Sequence, residues 1–546
     1  MRPGVGCQQT HVAPWRDIAD SCCGSQQLPK LYGSRRIGRR TGRVSPIDMT
    51  VFPSDLESVV KSGSQCPGCG VEVNEEARAE ARWYPFWETS RGRCPACVQE
   101  NLLQVLLVKG DAALHEAVQQ VWPLDAEAAF GVIPTRLRLH ADPRFSGRGI
   151  TIAVVDSGFY PHADLIQPQN RIRVWADATQ ESVAVIRFDK TEHPGWPDWD
   201  GARDWQWHGT MTSVVACGNG FLSRGLYSSL AHEAEVVLVQ VRDASGEISS
   251  DSIARALRWI WENAKEFGIR VVSLSVSGDP VWPLSGNAVD EAVASLVESG
   301  ISVVAAAGND GERKLLPPAT APFACTVGGI DDKNTFNDED VILWHSNYGN
   351  AGNGVPKPEF VAPSIWVAAP VLPRTKTAEE AKLLFERRGQ GDANIEDRLS
   401  ELKLITPHYQ HVDGTSFAAP LVASTVACML EANTDLSPLS IRSILIETAH
   451  SVPGVERARQ GAGGHRPRPR RGSCLGRKAP GRGRARRRTR VHVIRGCIFA
   501  SRSQRFASRD SWKLERLEET GPCRSVDGAR LLADPSGKAA RRTTHL

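Results

Sequence analysis

The sequence predicts an α/β protein built on a doubly wound, mostly parallel sheet. Apolar runs without polar alternation are typical of strands buried on both faces. They occur at 150–155, 235–241, 270–276, 301–306 and 325–330. Helical patterns at 252–266 and 286–299 separate several of these runs, and strands that alternate with helices form parallel sheets. Such sheets carry their sites at the carboxyl ends of the strands, so reactive residues are expected there.

A long buried helix is predicted to begin at Ser416. The serine lies in Gly-Thr-Ser-Phe-Ala-Ala-Pro, and a run of small and apolar residues follows. Unpaired N–H groups and the helix dipole favour negative charge at a helix N-terminus, which suits a nucleophile that generates an oxyanion. Pro420 is predicted to lie in the first turn, where proline is tolerated. An ordinary N-cap serine is the alternative interpretation.

Three further polar residues stand at positions suited to chemistry. Asp156 ends the first predicted strand, and His208 begins the segment His-Gly-Thr-Met-Thr. Asn309 follows the strand Val-Val-Ala-Ala-Ala-Gly. A serine nucleophile needs an imidazole base, a carboxylate that orients the imidazole and a hydrogen-bond donor for the oxyanion. Each residue alone is more often a cap, a turn residue or a structural histidine, but the four together, in the order Asp, His, Asn and Ser, favour catalysis.

In these motifs the chain resembles the subtilisin-like serine proteases, or subtilases, over about residues 145–463. The resemblance implies that Asp156 orients His208, which acts as general base and acid. It also implies that Ser416 attacks the substrate and that Asn309 stabilises the oxyanion with the Ser416 N–H. The segment 271–278 resembles the strand that lines the substrate cleft, and it contributes the candidate substrate-binding residues Ser275, Val276 and Ser277. The further candidates are Ala306, Ala307 and Gly308, which directly precede Asn309. Ser277 departs from the glycine common in the family, so the cleft is expected to be narrower.

Two Cys-x-x-Cys pairs precede this region. Cys66 and Cys69 are separated by 24 residues from Cys94 and Cys97, and four thiolates at such spacing bind one tetrahedral zinc ion. We therefore predict a structural zinc site in a zinc-ribbon-like module, with a redox pair or unligated cysteines as alternatives. Residues 98–121 are predicted to form one or two amphipathic helices. No calcium loop is recognised, and calcium is left open.

These features divide the 546 residues into four segments. Residues 1–48 are predicted to be disordered, with Met49 as an alternative translation start. Residues 49–130 form the cysteine module, and residues 131–463 form the peptidase domain with a charged insertion at 371–411. The insertion is interpreted as a solvated surface helix, or else as a lid or docking arm at the cleft. Residues 464–546 are interpreted as a disordered, frameshifted tail, and a genuine basic arm is the alternative.

Charge is distributed unevenly along the chain. Residues 464–546 contain 23 Lys and Arg against 6 Asp and Glu, whereas the net charge of the whole chain is only +4. The body between the two basic ends is therefore acidic, and we expect no nucleic-acid binding unless the tail is genuine. The N-terminus lacks the apolar core of a signal peptide, and no apolar run approaches the roughly 20 residues of a membrane span. We expect a cytoplasmic protein with no membrane partner.

The sequence thus predicts a serine endopeptidase that hydrolyses protein or peptide substrates through an acyl-enzyme. The first alternative is a weakly active or inactive binding protein that keeps the fold. The second is an esterase or amidase that uses the same residues.

Overall fold

The computed structural model describes Cys66, Cys69 and residues 93–121, 132–188, 203–280 and 287–461. The predictions for residues 1–48 and 464–546, and for most of 49–92, lie outside these described residues.

The centre of the molecule is a nine-stranded, mostly parallel sheet, which confirms the predicted doubly wound α/β class. Its strands are β1 (Thr151–Asp156), β2 (Ile172–Asp177), β3 (Ala184–Arg187), β4 (Glu235–Gln240), β5 (Ile269–Leu274), β6 (Ser302–Ala306), β7 (Cys325–Asp331), β8 (Ile342–Leu343) and β11 (Phe360–Pro363). They are arranged in the order β11-β7-β6-β5-β1-β4-β2-β3, and β8 pairs with β7. Only β3 and β8, at the margins, run antiparallel to their neighbours. A separate two-stranded pair joins β9 (Gly349–Asn350) to β10 (Pro356–Lys357).

Helices cover both faces of the sheet. The helices of the described residues are α1 (Pro95–Lys109), α2 (Asp111–Val121), α3 (Thr135–Arg138), α4 (Ala163–Ile166), α5 (Trp207–Cys217), α6 (Ser250–Phe267), α7 (Ala288–Glu298), α8 (Lys376–Gly389), α9 (Glu396–Glu401), α10 (Thr415–Ala432), α11 (Pro438–Thr448) and α12 (Arg457–Gln460). Successive β1 side chains point to opposite faces. Ile152 and Val154 pack in the core that contains α5 and α10, whereas Ala153 and Val155 pack in the core that contains α6 and α7.

The buried helix predicted at Ser416 is α10. Its 18 residues have a mean hydropathy of 1.3, so by length and composition alone the helix could cross a membrane. However, 83% of the helix is buried inside the fold. This combination is typical of the core helix of a globular domain. The expectation that no apolar stretch approaches membrane-span length is therefore imprecise for α10. Pro420 is the sixth residue of α10 and lies beyond the first turn, so the predicted position of this proline is wrong.

The insertion at 371–411 has a small core of its own. Strand β12 (Val367–Pro370) pairs antiparallel with β14 (Tyr409–Val412), which also pairs with β13 (Leu404–Thr406). Apolar side chains of α8, α9, β13 and the segments next to them form a separate buried cluster: Val371, Ala381, Leu384, Phe385, Ile395, Leu399 and Leu404. The insertion is thus a hairpin expanded by packed helices, and β14 leads directly into α10.

Two helices, α1 and α2, cover residues 98–121, where one or two amphipathic helices were predicted. Leu102, Leu103 and Leu106 of α1 pack in the same core as the segment that follows α5. The Gln99 side-chain amide donates to the Gly225 carbonyl at 3.0 Å. The helices after the cysteine pairs are therefore packed against the α/β domain.

Candidate active site

The carboxyl ends of four central strands define the site. Strands β4, β1, β5 and β6 are consecutive in the sheet, and all four are parallel. Asp156 is the last residue of β1 and lies opposite Gln240 at the end of β4. Leu274 at the end of β5 lies opposite Ala305 of β6, so the residues that follow these strands meet at one edge.

Asp156 and His208 form the best-defined pair at this edge. His208 is in the first turn of α5, and its Nδ1 lies 2.7 Å from Asp156 Oδ1. The same oxygen accepts from the Ser157 N–H at 2.6 Å, and the Thr212 hydroxyl donates to Oδ2 at 2.8 Å. The carboxylate is fully buried, whereas the imidazole side chain is 20% exposed. Because Nδ1 binds the carboxylate, Nε2 is the ring nitrogen left for chemistry.

The surroundings of His208 shift its pKa in two directions. Burial lowers the pKa of the imidazole, but the negative charge of Asp156 and the hydrogen bond to it outweigh burial, so the net effect raises the pKa above its usual value. The close approach of α5 also needs Gly209, since a Cβ there would lie 2.2 Å from the Gly158 carbonyl oxygen.

Ser416 lies next to this pair, in the first turn of α10. The preceding Gly414 has a φ of 135°, which favours glycine, and its N–H donates to the Ser364 carbonyl at 2.7 Å. The rings of Phe417 and His208 are 5.9 Å apart, so the start of α10 adjoins the imidazole. No direct hydrogen bond joins His208 to the Ser416 hydroxyl among the described residues. Such bonds are often long or poorly aligned before a substrate binds.

Asn309 is tied to the start of α10 by its side-chain oxygen. Oδ1 accepts from the Thr415 N–H at 3.0 Å and from the Thr415 hydroxyl at 2.7 Å. The same hydroxyl accepts from the Gly308 N–H at 3.1 Å. Because two donors face Oδ1, the amide nitrogen must point away from Thr415. The Ser416 N–H, in the first helical turn, has no helical acceptor and is available beside it.

The six candidate substrate-binding residues follow β5 or end β6. Ser275 is 7% exposed, and its hydroxyl donates to the Ser416 carbonyl at 2.8 Å. Val276 is buried, and Ser277 is the exposed member of its segment. Ala306 and Ala307 are buried, with Gly308 completing the second segment. Their contact with a substrate stays a prediction.

Sequence reasoning missed Thr212 and Thr415, which hold Asp156 and Asn309. Thr212 is four residues after His208 and shares its face of α5, so helical spacing was a usable signal. Thr415 adjoins the predicted nucleophile, but nothing in the sequence indicates which way its hydroxyl points. His345 was also missed, and its Nδ1 lies 2.7 Å from the Asn309 carbonyl oxygen.

The four predicted metal ligands come together at the start of α1. The sulfur atoms of Cys66, Cys69, Cys94 and Cys97 all lie within 4.8 Å of one another. Sulfurs bound to one tetrahedral zinc are about 3.8 Å apart, so this cluster fits the ion. The Cys94 N–H donates to Cys66 Sγ at 3.2 Å, as in sites where amides support thiolates.

The surroundings of the cluster disfavour thiolates in the absence of a cation. Burial and the neighbouring thiols raise the pKa of Cys94 to about 11 and raise the pKa of Cys97 as well. The thiols therefore need a cation to become thiolates at neutral pH.

The region that contains the α/β domain is similar to known proteins. The model of the subtilase family matches residues 147–463. Serine protease AprX of Bacillus subtilis is 29% identical over 313 residues, which cover 55% of this chain and 61% of AprX. Subtilisin Savinase of Lederbergia lenta is 27% identical over 309 residues, which cover 56% of this chain and 86% of Savinase.

A solved structure of sphericase is 23% identical and covers 61% of this chain and 97% of its own, with a TM-score of 0.43. The chain spans 61% of the length of AprX, which is less than two thirds of that relative.

Proposed function

Because the chain belongs to the subtilase family, we propose that it is a serine endopeptidase that cleaves protein or peptide substrates through an acyl-enzyme. One observation carries the proposal. The hydrogen-bonded Asp156–His208 pair adjoins the helix start that bears Ser416, and Asn309 is tied to that same start through Thr415.

Acylation begins with the hydroxyl of Ser416. Its Oγ attacks the carbonyl carbon of the scissile bond as His208 Nε2 accepts the proton. The carbonyl oxygen becomes an oxyanion, which accepts hydrogen bonds from Asn309 Nδ2 and the Ser416 N–H. The bond to the leaving nitrogen then breaks, and the imidazolium donates its proton to the departing amine.

Deacylation repeats these steps with water. His208 Nε2 accepts a proton from a water molecule, whose oxygen attacks the ester carbonyl of the acyl-enzyme. The second tetrahedral intermediate uses the same oxyanion donors. Its collapse releases the acid product and returns the proton to Ser416 Oγ. Asp156 remains ionised throughout and stabilises the imidazolium in both halves.

The two threonines support this chemistry without touching the substrate. Thr212 donates to Asp156 Oδ2, which keeps the carboxylate plane toward the imidazole. Thr415 occupies the oxygen of the Asn309 amide, so the amide nitrogen faces the place where the oxyanion develops. Catalytic groups on rigid elements need such partners to hold their geometry.

Active-site labelling tests the proposal against a protein that only binds its clients. A fluorophosphonate probe should label the wild-type protein at Ser416, and Ser416→Ala should abolish both labelling and hydrolysis of a denatured protein substrate. Equal hydrolysis by Ser416→Ala would remove the assignment. Turnover of matched peptide and ester substrates separates a peptidase from an esterase.

We also propose that Cys66, Cys69, Cys94 and Cys97 hold one structural zinc ion. Four protein ligands leave no coordination position for a substrate, so the ion contributes folding energy and takes no part in hydrolysis. The proposal is supported by the compact sulfur cluster and by the amide that donates to Cys66 Sγ.

A further inference from the structure

A proline interrupts the hydrogen bonding of the nucleophile's own residue. In an α-helix the carbonyl of residue i accepts from the N–H of residue i+4. For Ser416 that position is Pro420, which lies inside α10 and has no N–H. The N–H of Ser416 is also without a helical partner, because it is in the first turn. Neither backbone polar group of the nucleophile therefore has its α-helical partner.

The Ser275 hydroxyl takes the place of the missing donor. Its Oγ donates to the Ser416 carbonyl at 2.8 Å, across 141 residues of sequence. Ser275 directly follows β5, which lies between β1 and β6 in the sheet. The bond thus joins the segment after β5 to the backbone that carries the nucleophile.

We propose that Ser275 is a positioning residue whose hydroxyl replaces the hydrogen bond removed by Pro420. This inference rests on the proposed peptidase function. By holding the Ser416 carbonyl, Ser275 sets the orientation of the first turn of α10. That orientation places Ser416 Oγ and the Ser416 N–H relative to His208 and Asn309. The Ser275 hydroxyl therefore acts through Ser416, and this role is separate from the substrate contact that the family resemblance predicts for the residue.

The proline gives this inference a specific test, since replacing it restores the donor. Four proteins are compared: the wild type, Ser275→Ala, Pro420→Ala and the double variant. We expect Ser275→Ala to lower kcat about tenfold, the size of one lost hydrogen bond, with KM changed less than about twofold. In the Pro420→Ala protein the N–H of residue 420 can donate to the Ser416 carbonyl. Adding Ser275→Ala to that protein should therefore lower kcat less than about twofold.

Ser273→Ala is the matched control. Ser273 lies two residues earlier, in β5, and is fully buried. Its hydroxyl has no hydrogen-bond partner in the part of the chain that the structure describes. We expect this variant to retain kcat within about twofold, which separates the Ser275 bond from the general loss of a serine hydroxyl.

Three outcomes would overturn the inference. Equal costs of Ser275→Ala with and without Pro420 would show that the hydroxyl does not compensate for the proline. A rise in KM at constant kcat would make Ser275 a substrate contact. An unchanged kcat in Ser275→Ala would make the bond irrelevant to turnover.

Two further measurements keep the test decisive. If Ser275→Ala does not fold, Ser275→Thr is compared with Ser275→Val. Threonine and valine have the same shape, but only threonine has a hydroxyl, so equal kcat values for these two variants would contradict the inference. The rate of fluorophosphonate labelling, which needs no peptide, should follow kcat across the series. A wild-type protein that is neither labelled nor active would refute the peptidase function itself, which is a different result from any pattern among the variants.

Discussion

Asp156 is held by more hydrogen bonds than its contact with His208 alone. The Ser157 N–H and the Thr212 hydroxyl orient the carboxylate, so the imidazole meets an oxygen of defined direction. The buried charge then favours the imidazolium, which forms in both transition states. The pair acts through its charges, so the pH dependence of turnover can test it.

The pH dependence of turnover should report the Asp156 charge. The base must be neutral to accept a proton, so kcat/KM rises as the pH rises through the His208 pKa. Because Asp156 raises that pKa, the acid limb should lie above the ordinary value of about 6.5. Asp156→Asn should move the limb to lower pH and lower kcat by about 10⁴.

Thr212→Val is the control for this experiment, because it removes one hydrogen bond and leaves the charge. It should lower kcat much less than Asp156→Asn and shift the limb only slightly. An acid limb that stays in place in Asp156→Asn would contradict the assigned pair.

Two substitutions at the oxyanion site should lower kcat by different amounts. Asn309→Ala removes a donor, so kcat should fall by about 10²–10³ with little change in KM. Thr415→Val allows the Asn309 amide to rotate but does not remove it, so kcat should fall less than in Asn309→Ala. Thr415→Ser keeps the hydroxyl and should retain most of the wild-type kcat. Steady-state kinetics on one peptide substrate measure all three. A larger effect on KM than on kcat in Asn309→Ala would argue against an oxyanion role.

At the scale of elements, the insertion is joined to the α/β domain by buried polar contacts. The Tyr409 hydroxyl donates to Asp164 Oδ2 at 2.6 Å, and both side chains are buried. The Gln410 side chain reaches Met211 of α5, the helix that carries His208. Since β14 continues into α10, the insertion contacts the elements of both His208 and Ser416.

His411 in β14 should make this element sensitive to acid. Burial, and then the charge of Lys403, lower its pKa to about 4, whereas an unfolded histidine has a pKa of about 6.5. The unfolded chain therefore binds more protons below pH 6.5, and the free energy of unfolding falls as the pH drops toward 4. The full loss is roughly 3 kcal/mol.

Replacing His411 with a residue that does not titrate should remove this part of the loss. Denaturant unfolding of the wild type, His411→Phe and His411→Gln between pH 7 and 4.5 measures it. The stability of both variants relative to the wild type should improve as the pH falls, whatever their difference at pH 7. Parallel curves for all three proteins would mean that His411 is protonated in the fold.

At the scale of the whole molecule, the cysteine cluster is coupled to the α/β domain through α1. Cys94 is the N-cap residue of α1, and the Ala96 N–H donates to the Arg224 carbonyl at 3.2 Å. Arg224 and Gly225 lie in the segment that follows α5. A metal ion at the cluster would therefore stabilise both the start of α1 and its seat on the domain.

The purified chain should contain one zinc ion by elemental analysis. Chelation or Cys94→Ser should lower Tm by at least about 5 °C, because binding energy at a structural site is folding energy. Below the lowered Tm the specific activity should remain within about twofold, since the ion takes no part in hydrolysis. Zinc added back after chelation is the control and should restore Tm. A chain that retains no zinc, or an activity that zinc alone restores at constant Tm, would contradict the proposal.

The sequence by itself determined the sheet and the chemical residues. Strands buried on both faces are continuous apolar runs, and the reactive residues follow such runs directly, so local pattern placed Asp156 and Asn309 at strand ends and Ser416 at a helix start. The fold class was predictable for this reason, and helical periodicity indicated that the region after the cysteine pairs is helical. The predicted position of Pro420 was wrong because Pro420 is the sixth residue of a helix that begins at Thr415, beyond the roughly 3.6 residues of the first turn.

Only the tertiary structure decided how these residues are held. Ser275 meets Ser416 across 141 residues, Asn309 meets Thr415 across 106, and Asp164 meets Tyr409 across 245. A hydrogen bond is directional and short, so it depends on where packed elements bring two side chains. Periodicity and residue type carry no such information. The reactive groups could therefore be predicted from the sequence, whereas the residues that orient them depend on the packing of distant segments.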